Sequence, residues 1–493
     1  MDKRSAPRIL LAAPRSGSGK TLITCALLKS LKESGKDPVA FKCGPDYIDP
    51  LFHERVLGIG SYNLDSYFMD KEQLKHSLGR TGNGIAVIEG VMGIYDGLGV
   101  DSIKGSCYEI AAMTDTPVVL IIDAHGAGRS IISLIKGVLS DDRRKLIKGV
   151  ILNRISNAFF ARLSPVLSQE LQKEYPDVRV LGSIPDEPAL KIGSRHLGLD
   201  ISAARDEVLR GIGRMAELMS IDHGNGSVTE NILKLACPGD SIIPASGAGA
   251  PDNSFVNPAA GEDRGGAPAV NTLTLAVAKD EAFCFYYKDN LELLERYGVT
   301  IKYFSPVHDK ALPGEADGIL LGGGYPEMYL EELSSNTAML DAVREAVNEG
   351  MPSLAECGGF MYLHKSVSDI EGKRYPLAGV IEGECIYTGK SVRFGYMSIT
   401  GAEDDSPGIA KMLKGMKGHE FHYYDSTANG GYCMAGKPDG SKKWSCMCGN
   451  EVSLWGFPHF YYPSAPESIR FFVTAMAGFK EKKSKIKNGT CGG

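Results

Sequence analysis

From Arg8 to about Leu235, short apolar runs alternate with amphipathic stretches. The runs at 8–13, 38–42, 85–89, 117–122, 148–152 and 178–183 have the length of buried strands. Between them, residues such as Leu22, Ile23, Ala26, Leu27 and Leu31 fall on one helical face. Strand and helix in alternation predict a mainly parallel sheet with crossover helices. Residues 237–271 break every period: 21 of these 35 are Gly, Pro, Ser or Ala, which predicts a flexible linker. A second α/β pattern starts at Asn271, with strands expected at 273–278, 299–304, 317–321 and 353–355 and helices at 281–296 and 336–349. Strand-like segments near 392–399, 417–424 and 451–456 precede a helix near 465–478 and a basic segment, Lys480–Lys487, expected to be a solvated terminus. The organisation read from the chain is therefore 1–236, a linker at 237–271, a second domain at 272–480 and a basic tail at 481–493.

Length supports that division, since 493 residues at about 150 per domain make two or three domains. The 54 Lys and Arg against 60 Asp and Glu give a net charge of −6, so no overall positive field exists to hold nucleic acid. No apolar run approaches the roughly 18 to 20 residues of a membrane span, and Ile9–Ala13 is too short for a signal-peptide core. Eleven cysteines without paired spacing fit reduced thiols in a cytoplasm better than a disulfide framework. Cys446 and Cys448 near Cys433 lack the second arm that a zinc site needs.

Two segments carry chemistry. Ala13-Pro-Arg-Ser-Gly17-Ser-Gly19-Lys20-Thr21 follows a strand and opens a helix, the context in which backbone amides converge on phosphate. Lys20 would contact the β and γ phosphates of ATP, and the Thr21 hydroxyl would ligate Mg²⁺. The spacing Ala13-x5-Gly19-Lys20-Thr21 is the longer one of dethiobiotin-synthetase-like loops, with Ala in place of the first Gly. Glu89 ends a buried strand, where a second metal-binding acid is expected. Asp46 and Asp49 fall in the loop after the second strand, and Asn153 ends another strand, where an amide can read adenine.

The other segment is Ser353-Leu-Ala-Glu356-Cys357-Gly358-Gly359, a thiol between a short strand and a Gly-led helix. Such an elbow projects the sulfur, and the helix N-terminus favours thiolate. Gly322-Gly323-Gly324 follows another strand and can supply oxyanion amides. The best-placed base is His459, with His419 and His422 as rivals that spacing alone does not separate.

With these motifs in order along almost the whole chain, the sequence resembles the cobyrinic acid a,c-diamide synthase family. The resemblance is carried by Phe41-Lys-Cys-Gly-Pro-Asp-Tyr-Ile-Asp-Pro50, Glu89-Gly-Val-Met-Gly-Ile-Tyr-Asp96-Gly, the stretch Ile184–Leu199, Leu321-Gly-Gly-Gly-Tyr-Pro-Glu327, Ala355-Glu-Cys-Gly-Gly359 and Gly418-His-Glu-Phe-His-Tyr. It implies an α/β fold: an N-terminal P-loop-type parallel-sheet domain that binds ATP, joined to a C-terminal class I glutamine amidotransferase-like domain. It further implies that Gly17, Gly19, Lys20, Thr21 and Asn153 bind ATP, with Thr21, Asp46 and Glu89 on Mg²⁺. Tyr47, Asp49 and Asp96 would face the substrate or acyl phosphate. Cys357 would be the glutaminase nucleophile, His459 its activator, and Gly323 with Gly358 the oxyanion donors. One departure matters: class I amidotransferases usually carry Glu two residues after the histidine, and this chain carries Tyr461. Orientation of His459 then comes from elsewhere or is weaker.

The implied reaction is ATP- and glutamine-dependent amidation of the a and c side-chain carboxylates of cobyrinic acid through acyl phosphates, in cobalamin biosynthesis. The substrates implied are a tetrapyrrole, ATP and L-glutamine, with no nucleic acid or membrane partner and a homodimer as the assembly considered. Shared motifs do not separate cobyrinic acid from nickel sirohydrochlorin of the coenzyme F430 pathway or from hydrogenobyrinic acid. A ParA/MinD-like switching ATPase would resemble the first domain alone and would lack the Cys-Gly-Gly domain.

Overall fold

Seven short strands make the first sheet of the computed structural model: β1 (Arg8–Ala12), β2 (Pro38–Cys43), β3 (Ser61–Leu64), β4 (Ile85–Glu89), β5 (Val118–Asp123), β6 (Ile147–Asn153) and β7 (Arg179–Ile184). The structure describes residues 7–190, 201–222, 224, 226–236, 273–402 and 408–489. The linker read at 237–271 and the motif residues beyond Leu190 lie outside these. Chain contacts divide into two units, Met1–Asp252 and Asn253–Gly493.

In the first unit the order is β3-β2-β4-β1-β5-β6-β7, every pair parallel. Parallel strands covered on both faces require apolar side chains on both, and Ile9, Leu10, Leu11, Val119, Leu120 and Ile121 are fully buried. The helix Lys20–Glu33 turns its Leu22, Ile23, Ala26, Leu27 and Leu31 into that core. Six strands fall where the apolar runs predicted them. β3 was missed because Ser-Tyr-Asn-Leu carries no apolar run and sits at the sheet edge.

The second unit has a central sheet of β8 (Leu273–Ala278), β10 (Val299–Phe304), β11 (Gly318–Leu321), β13 (Ser353–Glu356), β20 (Cys448–Asn450) and β21 (Ser453–Gly456), ordered β10-β8-β11-β13-β21-β20. A two-stranded ribbon pairs β9 (Phe283–Phe285) with β12 (Gly323–Gly324). A second sheet joins β14 (His364–Ser368), β15 (Arg374–Pro376), β16 (Ile381–Ala402), β17 (Lys417–Ser426), β18 (Cys433–Gly436), β19 (Lys443–Cys446) and β22 (His459–Tyr461).

Two expectations change here. The helix expected over 281–296 starts only at Lys288, because Phe283-Cys-Phe285 pairs as a strand with the triple-glycine turn. The last helix does not stop near 478 but runs Ile469–Gly489, taking up the basic segment read as a solvated terminus. Lys and Glu are good helix formers. Lys480 lies 3.4 Å from Asp317, and Lys483 donates to the Gly314 carbonyl at 3.2 Å, so this turn is tied to the start of β11. The nine cysteines among the described residues are all unbridged. No described helix is long and apolar enough to cross a membrane.

Candidate functional sites on the two units

The loop between β1 and the first helix reverses through Gly17 (φ 77°) and Gly19 (φ 93°), a left-handed backbone that glycine adopts without strain. A Cβ on Gly19 would lie 2.3 Å from Asn153 Nδ2, so the closeness of the loop to the end of β6 also demands glycine there. Asn153 donates to the Ser18 carbonyl at 2.9 Å and accepts from its neighbour Arg154 N–H at 3.0 Å. Its amide thus props the loop from the edge of the cleft. Arg154, itself left-handed at φ 60°, donates to the Gly17 carbonyl at 2.6 Å.

Gly17, Gly19, Asn153 and Arg154 line a cleft of 650 Å³ together with Lys20, Thr21, Lys42, Glu89, Met92 and Asp186. Lys20 donates to the carbonyls of Met92 at 2.7 Å and Arg15 at 3.3 Å. Burial, then the Lys42 charge, holds its pKa below the usual lysine value. An ammonium so placed gains from an arriving phosphate.

Below the loop lies a buried charge group. Thr21 Oγ1 donates to Glu89 Oε1 at 2.6 Å, and Lys42 donates to the same oxygen at 2.8 Å. Lys42 also pairs with Asp49. Burial opposes the Lys42 charge, but Asp49, Glu89 and Asp46 together raise its pKa well above the ordinary value. Burial, with the Asp49 charge, pushes Glu89 up to about 7 and Asp46 up to about 6. Asp46 Oδ1 accepts the amides of Ile48 and Asp49 at 2.9 and 3.1 Å, closing the turn that carries both acids. His53, lowered to about 4 by burial, stands 3.7 Å from Glu89 Oε2. Tyr47 is buried in the same turn, whereas Asp96 is exposed and accepts the Gly93 amide at 2.8 Å. Lys42 is the main residue missed in the sequence; its place at the end of β2, just before the Gly-Pro-Asp loop, was the available signal.

This donor set suits Mg²⁺. Glu89 Oε2 is buried with no hydrogen-bond partner, and the Thr21 hydroxyl already lies against the same carboxylate. Hard oxygen donors of this kind are what Mg²⁺ takes. Among the described residues no three His, Cys, Asp or Glu gather to hold a metal alone, so a bound Mg²⁺ would need further oxygen donors to complete its shell.

In the second unit, Cys357 stands between β13 and the helix Gly358–Leu363 at φ 48°, ψ −102°. This left-handed φ is costly for a residue with a side chain and marks an elbow under strain. The turn is tight on every side: a Cβ on Gly359 would lie 2.1 Å from the Leu321 carbonyl oxygen, and one on Gly358 would lie 2.9 Å from Pro326 Cδ. The expected thiolate is not favoured. Burial pushes the thiol well above its usual range, and Glu327, Glu420 and Glu356 add to the rise. A base therefore has to take the proton as the sulfur attacks.

β13 and β21 are parallel neighbours, with Glu356 opposite Gly456, and Cys357 N–H donates to the Gly456 carbonyl at 2.9 Å. The chain then reaches β22, whose His459 packs on the glycine turn: a Cβ on Gly323 would lie 2.3 Å from His459 Cε1. Cys357, Gly358, Gly323 and His459 thus share the C-terminal edge of the central sheet. The rival histidines differ in surroundings. His422 meets Glu420 at 2.8 Å and the Tyr424 carbonyl at 2.6 Å, which engages both ring nitrogens. His419 stacks on His459 with centroids 5.0 Å apart and meets the Tyr287 hydroxyl at 3.1 Å.

Sequence comparison gives the same division. Residues 9–199 match the CobQ/CobB/MinD/ParA nucleotide binding domain, and residues 274–448 match the CobB/CobQ-like glutamine amidotransferase domain. The chain is 33% identical to the cobyrinate a,c-diamide synthase of Caldanaerobacter subterraneus subsp. tengcongensis, covering 96% of this chain and 99% of that one. It is 35% identical to the enzyme of the same name from Picrophilus torridus, over 94% and 98%. Against that of Methanosarcina acetivorans it is 38% identical, over 85% and 84%.

Proposed function

The chain belongs to the cobyrinate a,c-diamide synthase family, and from that premise we propose that it amidates the a and c carboxylates of cobyrinic acid with ATP and glutamine, in cobalamin biosynthesis. The observation that carries the reading is one chain with two chemically distinct centres. A phosphate loop lies over a buried lysine–carboxylate group, and a strained thiol elbow packs on the same triple-glycine turn as a buried histidine.

A carboxylate is a poor electrophile, so ATP first converts it to an acyl phosphate. Lys20 and the amides around Gly17 and Gly19 hold the phosphates, Arg154 and Asn153 fix the loop, and Thr21 with Glu89 and Asp46 would hold Mg²⁺, whose charge offsets that of the phosphates. Tyr47, Asp49 and Asp96 form the acceptor side, with Lys42 keeping Asp49 ionised. Ammonia then attacks the acyl carbon, and inorganic phosphate leaves.

In the other unit Cys357 attacks the side-chain amide carbon of glutamine while His459 takes its proton. The amides of Gly323 and Gly358 receive the oxyanion. His459 returns the proton to the leaving nitrogen, ammonia departs, and water hydrolyses the thioester to glutamate. The test is Cys357→Ala in the full-length protein. We expect loss of glutamine-dependent amidation with synthesis retained at high ammonium. Loss with both nitrogen donors would overturn the assignment of the two centres.

A further inference from the structure

A histidine that takes a proton from a thiol works best when its other nitrogen is held by a group that stabilises the imidazolium. Two residues beyond His459 this chain carries Tyr461, a buried ring set edge-on against Tyr287 at 5.4 Å and 90°. A phenol in that setting supplies no negative charge.

The carboxylate comes from the opposite direction along the sheet. Glu356 ends β13, one residue before the nucleophile, and its Oε2 lies 4.0 Å from His459 Nδ1. Oε1 accepts the Tyr462 hydroxyl at 2.9 Å, and the Phe460 N–H also donates to this carboxylate. Glu356 is thus gripped by residues that follow His459 directly. Their strand is fixed in turn by Asn290, whose Nδ2 donates to the Phe460 carbonyl at 2.7 Å and whose Oδ1 accepts Tyr462 N–H at 2.8 Å. Glu420, a fully buried carboxylate of the same region, is engaged by Arg393, His422 and Trp444 at 2.9, 2.8 and 3.0 Å.

We propose that Glu356 is the positioning residue of the glutaminase pair, replacing from the strand before the nucleophile the glutamate missing at Tyr461, and stabilising His459 when it carries the Cys357 proton. The inference rests on the reading of Cys357 and His459 as that pair. At 4.0 Å the two groups are adjacent without a formed hydrogen bond, and catalytic hydrogen bonds often tighten only in the substrate complex.

A pH signature follows. Burial raises Glu356 to about 8, against an ordinary 4.5. The titratable groups facing it are Tyr462, Tyr286, His459 and Cys357, and His459 also faces His419 and His422. Only ionised Glu356 stabilises an imidazolium, so glutamine turnover rises with pH towards 8, and removing the carboxylate removes that rise.

The experiment measures kcat and KM for glutamine hydrolysis across pH in the full-length protein, with Glu356→Gln, Glu356→Asp, Tyr462→Phe and Cys357→Ala. Glu356→Gln should lower kcat about 10²-fold, leave KM within about twofold and flatten the pH rise. Glu356→Asp should restore part of both, and Tyr462→Phe should shift the pH rise. A folded Glu356→Gln protein with wild-type kcat and pH profile would overturn the proposal. Should that variant not fold, an unchanged profile in Tyr462→Phe would do so. Hydrolysis surviving in Cys357→Ala would instead overturn the glutaminase reading itself, so the two failures are distinct.

Discussion

Lys20 rests its ammonium on two backbone carbonyls, those of Met92 and Arg15, in a place where phosphate oxygens would satisfy it better. Lys20→Ala should therefore abolish synthesis with glutamine and with ammonium alike, by about 10²-fold or more. Product formation under saturating ATP checks this, and substantial residual synthesis with either donor would count against the phosphate-loop reading. Lys20, Thr21, Glu89 and Cys357 could be singled out from the sequence because each stands in a local pattern of strand, turn and helix that dictates its surroundings. Lys42, Asn290 and Glu356 were not assigned roles, because their partners lie far along the chain. Lys42 meets a carboxylate 47 residues away, and Tyr462 meets Glu356 across 106. The absence of glutamate at Tyr461 could be read from the sequence, but the identity of the substitute needed the pairing of β13 with β21.

Close packing at the elbow sets what its elements tolerate. Gly359, the second residue of the helix Gly358–Leu363, lies over the end of β11, its amide on the Gly322 carbonyl at 2.9 Å. Gly359→Ala would drive a methyl into the Leu321 carbonyl, a backbone atom that moves only with its strand. We expect a loss of about 1 to 3 kcal/mol in the urea stability of this unit, with glutamine hydrolysis reduced and ammonium-dependent synthesis retained. An unperturbed melt with full hydrolysis would mean that the helix can shift without cost. Short apolar runs predicted the strands of both central sheets except the edge strands β3 and β20. Elements failed where length or register was set by a partner: β3 at an edge, β9 held by two glycines, and the last helix whose lysines reach the segment leading into β11.

For the whole molecule, two α/β patterns followed from periodicity, and their nature as a nucleotide-binding and an amidotransferase unit followed from the family resemblance, which the family models bear out. Substrate choice did not follow, because a phosphate loop and a thiol elbow are indifferent to which macrocycle bears the carboxylate. The most direct measurement is the mass of the product formed from ATP, Mg²⁺ and glutamine labelled at its amide nitrogen. Cobyrinic acid, hydrogenobyrinic acid and nickel sirohydrochlorin would be offered in parallel. Cobyrinic acid should acquire two labelled amides with ATP consumed. Glutamine hydrolysis without an amidated product from any of the three would contradict the account.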